Sequence, residues 1–265
     1  MAGEDKISVI TVSYNAENTI RMTIESVLDQ TYPYVEYIII DGASTDATYQ
    51  IICEYDEKFE KRGIPYIHIS EPDNGIYDAM NKALDYCTGE WINYMNANDR
   101  FFQKGTLEEV FSKEYGNDIS CIYGNAWFVK ENWKYFRCSS NIDAIYYRNP
   151  FSHQSAFVRN KVIHKYNFDT NYEIVADYDL FLRMYLNEEK FRRIDCDIVL
   201  FDMSGVSHTE WEKTIKEWKQ IQKKNGLDKR YRVRRFIRNN IILPLKKNKM
   251  AFNIYFFYMG LRRRA

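Results

Sequence analysis

The sequence predicts an α/β fold, a mostly parallel sheet flanked by helices. Three observations carry this reading. Four short runs, Ile7 to Val12, Tyr37 to Ile40, Tyr66 to Ile69 and Trp91 to Met95, are apolar along their length rather than alternating. Strands covered on both faces have that pattern. The segments between them carry helical spacing, so strand and helix alternate at least three times in the first hundred residues. Finally, a polar cluster follows each run: Ser13-Tyr14-Asn15, Asp41-Gly42, Glu71-Pro72-Asp73, and Asn96 to Asp99. In such sheets ligands bind beyond the carboxyl ends of the strands.

Taken in order, Glu17 to Gln30 is helical, with Ile20, Ile24, Val27 and Leu28 on one face. Ser44, Thr45 and Asp46 offer N-cap side chains for a helix reaching about Lys61. Asp73-Asn74-Gly75 is a turn, and a helix from about Ile76 to Tyr86 stops at Thr88-Gly89. The second half is less regular. Ile119 to Tyr123 and Ala126 to Phe136 suggest a hairpin turning at Gly124-Asn125, and Ser152 to Val158 a further strand. Asp177 to Leu186 is helical, Phe191 to Phe201 a strand. Glu210 to Asn225 is a helix with Trp211, Ile215, Trp218 and Ile221 on one side.

The chain has 265 residues, 45% of them apolar, enough for a substantial core and against wholesale disorder. Net charge is zero but uneven. Residues 229–265 hold 12 Lys or Arg and no Asp or Glu, leaving the other 228 residues with a net of −12. An acidic body wants a cation beside anionic ligands, and a basic tail wants an anionic surface. The five cysteines are odd in number, widely spaced and form no CxxC, which argues against a zinc site or a disulfide framework. They read as small buried hydrophobes. No apolar leader opens the sequence, and the longest apolar run, near Ile254 to Met259, is far too short to span a bilayer. The expected compartment is the cytoplasm, with the tail at the inner face of the membrane.

Ile10 to Asn15, Ile40 to Asp46, Glu71 to Asn81 and Asn96 to Asp99, in that order and spacing, together resemble family 2 glycosyltransferases of the GT-A fold. Ala176-Asp177-Tyr178-Asp179-Leu180 is similar to the segment that carries that family's catalytic base. The resemblance covers roughly residues 6 to 225, and Glu71 to Asn81 looks most like bacterial enzymes that build surface polysaccharides. It implies a catalytic domain over 1–226, with a donor-binding half at about 1–100 and an acceptor-side half at about 101–226, followed by a basic amphipathic tail over 227–265.

The resemblance further implies inverting transfer of a hexosyl or N-acetylhexosaminyl group from a nucleotide-sugar, a UDP-sugar by preference, to a glycan or lipid-linked glycan. Val12, Ser13, Tyr14 and Asn15 would border the donor, Tyr14 flanking the base. Asp41 would accept from a uracil N–H beside Gly42. Asp73, Gly75, Ile76, Asp78 and Asn81 would bind the donor around a helix start, where free N–H groups favour anions. Asp99 matches the metal-binding carboxylate, for Mg²⁺ or Mn²⁺ against the diphosphate. Asn96 and Asn98 stand where the family often has Asp, and amides hydrogen-bond without contributing charge.

Asp177 is the expected general base; as the start of a helix it is also explained by N-capping. Asp179, two residues on, points elsewhere. Asp46 is explained by capping alone. His153 and His208 are further site candidates, although a lone histidine is more often structural.

In the tail, Arg230, Arg232, Arg234, Arg235 and Arg238 interleave with Val233, Phe236, Ile237, Ile241 and Ile242, the pattern of an interfacial segment at an anionic leaflet. A helix packed on the body or on a second copy explains it too, and a homodimer is a candidate assembly. Nucleic acid is a poor fit for an acidic body. Two rivals to the transferase remain. A non-catalytic nucleotide-sugar-binding or scaffold protein would explain Asn96 and Asn98. A nucleotidyltransferase would need a basic, Gly-rich loop after the first strand, which Ser13 to Asn18 lacks.

Overall fold

The computed structural model describes residues 4–130, 133–137, 139–202 and 210–227. Among them, nine strands form one sheet: β1 (Ile7–Ser13), β2 (Val35–Asp41), β3 (Tyr66–Ser70), β4 (Trp91–Tyr94), β5 (Arg100–Phe101), β6 (Ile119–Lys130), β7 (Trp133–Arg137), β8 (Ala156–Arg159) and β9 (Lys190–Asp202). Their order is β3-β2-β1-β4-β8-β6-β9-β5, with β7 on β6.

Pairings among β3, β2, β1 and β4 are all parallel, as the all-apolar runs predict. Beyond β4 the sheet is mixed. β8 runs antiparallel to both β4 and β6, while β6 and β9 are parallel. The strand order reverses at β1, between β2 and β4, which is the crevice-forming position of an open α/β sheet.

The helices are α1 (Ile20–Leu28), α2 (Thr48–Cys53), α3 (Asp56–Arg62), α4 (Ile76–Ala83), α5 (Thr106–Val110), α6 (Asn160–Tyr166), α7 (Ala176–Leu186) and α8 (Trp211–Lys224). Side chains alternate faces along each strand. Ile10, Val12, Ile38, Ile40, Ile92 and Tyr94 therefore pack against α4, α6, α7 and α8, whereas Ile7, Val9, Tyr37, Ile39 and Trp91 pack against α1, α2, α3 and α5. Burial on both faces is what makes these strands apolar throughout. No helix among the described residues is long and apolar enough to cross a membrane.

Three expectations are corrected. The helix expected from residue 44 to 61 is two, α2 and α3. The chain bends at Tyr55, whose ring is buried and whose hydroxyl donates to Glu25 of α1 at 2.8 Å. The strand expected from Ser152 begins instead with a 3-10 turn, His153–Ser155, before β8.

Gly124-Asn125 is not a hairpin turn: β6 runs through it, and its antiparallel partner is β7. Gly124 marks a close approach of strands at a register irregularity. A Cβ there would lie 2.6 Å from both the Cys196 carbonyl oxygen and Ile198 Cδ1. The Ile198 methyl can turn aside, but the Cys196 carbonyl is backbone of β9 and cannot, so Gly124→Ala is expected to destabilise by about 1–3 kcal/mol. Urea unfolding would read this; a midpoint equal to wild type would mean that β6 and β9 can separate freely.

Candidate active site

The carboxyl ends of β1, β2 and β3 are joined through one carboxylate. Register sets Ser13, Asp41 and Ser70 side by side. Asp41 is fully buried. Its Oδ1 accepts from the hydroxyls of Ser13 (3.2 Å) and Ser44 (2.5 Å), and its Oδ2 from the Ser44 amide (2.9 Å) and the Ser70 hydroxyl (2.7 Å). With four donors already in place, Asp41 organises the pocket floor rather than presenting a free acceptor to a base.

Asn15, at φ +48°, likewise serves the loops. Its Oδ1 accepts from the Thr45 amide at 2.9 Å, and its own amide donates to Ser44 Oγ at 2.9 Å. Asp46 accepts from the Thr48 and Glu17 amides just ahead of α2, whose N-cap is Ala47 and not one of the expected Ser44, Thr45 or Asp46.

Above this floor three expected donor residues converge. A Cβ on Gly42 would stand 2.5 Å from Asp73 Oδ2 and 3.5 Å from Tyr14 Cδ2. Tyr14 is 64% exposed, an unusual state for a large ring, and offers an open face beside the crevice. Asp73 also accepts from the Gly75 amide at 2.8 Å, and Asp78 from the Asn74 amide at 2.9 Å. The Asn74 and Gly75 N–H groups are thus occupied by carboxylates of the same turn. Ile76 is exposed at the same helix start. Asn81 faces away. Its amide donates to the Phe168 carbonyl at 3.0 Å and accepts from the Phe168 N–H at 2.9 Å, a staple between α4 and the segment before α7.

The loop after β4 meets the turn His153–Ser155. Asn96 Nδ2 donates to His153 Nε2 at 3.2 Å; His153 Nδ1 lies 3.4 Å from Asp177 Oδ2, and Asn149 Nδ2 donates to the same oxygen at 3.3 Å. With the Asn96 amide donating to Nε2, a singly protonated ring would carry its proton on Nδ1, toward Asp177. His153 and Asp177 are about one-seventh exposed, open enough for a substrate group to reach. Asp177 is the second residue of α7, not its N-cap, which is Val175. Asp179 is buried in an ion pair with Arg183 at 2.6 Å, pointing elsewhere as expected.

Asp99 is corrected. Its carboxylate is buried, Oδ1 accepting from the Asp202 amide (2.9 Å) and Oδ2 from Gln154 Nε2 (2.7 Å). Burial, with the nearby Asp202 charge adding to it, pushes its pKa up to about 7 against the pull of those two donors and His153. It braces β4 against β9 and the 153–155 turn. A divalent cation therefore has no free carboxylate at Asp99. The half-buried members of the loop are the amides of Asn96 and Asn98, Asn98 at φ +83°.

Among the described residues no three His, Cys, Asp or Glu side chains cluster as a metal site. One feature favours a ligand: Asn96 Oδ1 is buried without a partner. A single neutral oxygen is a poor substitute for a carboxylate, and the residues described do not fit a resident cation. His208, Cys138 and the tail lie outside the described residues. Cys87 and Cys196 are pushed up to about 12 by burial, consistent with inert thiols.

Sequence reasoning missed Asn149, Gln154 as the partner of Asp99, and Ser70. None sits at a helical or strand period that would mark it. Only the adjacency of Gln154 to His153 gave a signal.

The parallel half-sheet, the crevice at β1 and β4 and the carboxylate beyond it define an open α/β fold with a ligand crevice at its topological switch point. The glycosyl transferase family 2 description matches residues 8–188, and the chain belongs to that family. A "PGL/p-HBAD biosynthesis glycosyltransferase" of Mycobacterium bovis (strain BCG / Pasteur 1173P2) is 29% identical over 185 residues, 68% of this chain and 70% of that protein. Two solved structures share the fold. The S. aureus TarS 1-349 complex with UDP-GlcNAc has a TM-score of 0.63 at 20% identity, covering 77% of this chain and 60% of that one. The mannosyltransferase PcManGT from Pyrobaculum calidifontis, in complex with GDP-Man and Mn²⁺, has a TM-score of 0.62 at 17% identity, covering 78% and 59%. This chain thus spans about 60% of each of those structures.

The raised pKa of Asp99 makes stability depend on pH. Between about 4, where an ordinary carboxyl ionises, and about 7, the folded protein holds a proton that the unfolded chain has lost. Stability should therefore fall as pH rises through that window, and Asp99→Asn should flatten the slope. Urea unfolding at stepped pH reads it; an unchanged slope in the variant would assign the effect to another group.

Proposed function

We propose that this chain is an inverting glycosyltransferase that moves a sugar from a nucleotide-sugar, a UDP-sugar by preference, to a hydroxyl of a glycan or lipid-linked glycan in bacterial polysaccharide or glycolipid assembly. Family membership supports glycosyl transfer, and the similarity to a protein named for PGL/p-HBAD biosynthesis supports the setting. The UDP-GlcNAc complex of TarS supports the donor class. The observation that carries the mechanism is the Asn96–His153–Asp177 chain at the crevice.

In a single displacement the acceptor oxygen attacks the anomeric carbon. As that bond forms, the bond from the anomeric carbon to the nucleotide's phosphate oxygen breaks, and the nucleoside diphosphate leaves with the electron pair. Asp177 Oδ2 takes the acceptor proton, a contribution of about 10²–10⁴-fold. His153 Nδ1–H and Asn149 Nδ2 hold that oxygen, while the Tyr178 amide at 2.7 Å fixes Oδ1. Tyr14, Gly42 and Asp73 border the base and ribose. No step is assigned to a cation. The tail contacts an anionic membrane surface in this reading, which the 12 basic residues of 229–265 favour.

The test is a donor screen by nucleotide release, with and without Mn²⁺, on wild type and Asp177→Asn. The variant should bind donor with native affinity by calorimetry and lose at least ~100-fold in turnover. Near-wild-type turnover would remove Asp177 from the base role. The two amides at Asn96 and Asn98 also fit a non-catalytic nucleotide-sugar-binding protein. Donor binding without turnover of any donor by the wild type would favour that alternative.

Gly42→Ala should raise the donor KM several-fold with kcat little changed, because the new methyl displaces Asp73 and Tyr14. A purely kcat effect would place those residues away from the donor. Free-enzyme Mn²⁺ binding should be weak and should tighten by at least ~10-fold in Asn98→Asp, since cation affinity follows ligand charge. Tight binding to wild type would mean that a ligand set elsewhere holds the ion.

A further inference from the structure

We infer that Glu217 of α8 is a positioning residue for the base, an inference that rests on the reading of Asp177 above. The segment from which α7 springs holds three consecutive backbone N–H groups directed at one side chain. The amide of Glu173 donates to Glu217 Oε1 at 3.0 Å, and those of Ile174 and Val175 donate to Oε2 at 3.0 and 3.2 Å. Glu217 is 6% exposed, so these are buried, charge-assisted bonds at the entrance of a helix.

Val175 is the N-cap of α7, and Asp177 stands two residues further on. Next to Glu217, Trp218 stacks on Tyr178, the residue after the base, with centroids 3.7 Å apart and planes 14° apart. From the opposite side the Tyr77 hydroxyl of α4 donates to the Ile174 carbonyl at 2.8 Å.

The short segment 173–175 is thus held on one side by α8 and on the other by the helix that follows the Asp73 turn. The direction of the Asp177 side chain depends on it. His153 and Asn149 select an orientation of the carboxylate, and Glu217 fixes the backbone that delivers it. α8 therefore contributes to the active site without reaching the crevice. Lys213, in the same helix, pairs with Glu173 at an exposed contact and supplies a nearby control.

The experiment compares Glu217→Gln, Glu217→Asp and the control Lys213→Ala, on whichever of UDP-GlcNAc, UDP-Glc, UDP-Gal or GDP-Man the wild type consumes. Gln keeps the length but replaces one acceptor oxygen with an NH₂ that faces N–H groups. kcat should fall by ~10- to 100-fold, as small misplacements of a reacting group do. Donor KM should stay within about threefold, because the donor is held elsewhere. Placed on Asp177→Asn, Glu217→Gln should cost nothing further in residual turnover, since it acts through a base already removed.

Amide exchange at Ile174 and Val175 should quicken in the variant. kcat within twofold of wild type in a folded variant, an additive loss on Asp177→Asn, or equal losses in donor affinity and kcat would overturn the inference. Should Glu217→Gln fail to fold, Glu217→Asp carries the same comparison; if neither folds, Glu217 is a folding residue and the inference fails. Wild-type turnover in Asp177→Asn would instead sink the reading of the base, and is scored separately.

Discussion

Gln154 and its neighbours lie across the end of β4, and much of the site depends on that contact. The Gln154 and Ala156 carbonyls both accept from the buried Asn93 amide, at 3.0 and 2.9 Å, which fixes the 153–155 turn against the strand. From there Gln154 reaches Asp99, and His153 reaches both Asn96 and Asp177. Main-chain groups at a strand end must find partners once buried. Here their partners come from a segment about sixty residues away, so satisfying the backbone also assembles the chemistry.

Charge follows the same logic. Asp41 and Asp99 read equally well as ligand-binding carboxylates at strand ends, yet both are turned inward and saturated with donors. Holding a carboxylate in a dry interior is costly unless its oxygens are bonded. Buried almost completely, each of these carboxylates acts as a brace between elements. Asp177 differs. It retains access to solvent, and its partners His153 and Asn149 lie at the crevice. The amides at Asn96 and Asn98 leave this edge poorer in negative charge than the carboxylates that the resemblance leads one to expect there.

α7 shows how a helix start can be held without a capping side chain of its own. Val175 makes no side-chain cap. The carboxylate comes from Glu217, and the stacking ring from Trp218. The apolar face of α8 is visible in the sequence, but its one inward-facing carboxylate is not, because an acidic residue between Lys216 and Trp218 reads as solvated until a partner is known.

The sequence by itself determined the parallel half of the sheet, since strands buried on both faces leave no room for polar alternation. It also located the polar strand ends and the segment around Asp177, because each is a local pattern of residue types. Tertiary structure alone decided which carboxylates face inward, that β8 inserts antiparallel beside β4, and that Gly124 is a close approach rather than a turn. Those depend on contacts between residues far apart in the chain. Local periodicity carries no information about such contacts, whereas the burial of a polar atom and the position of its donor are fixed by them.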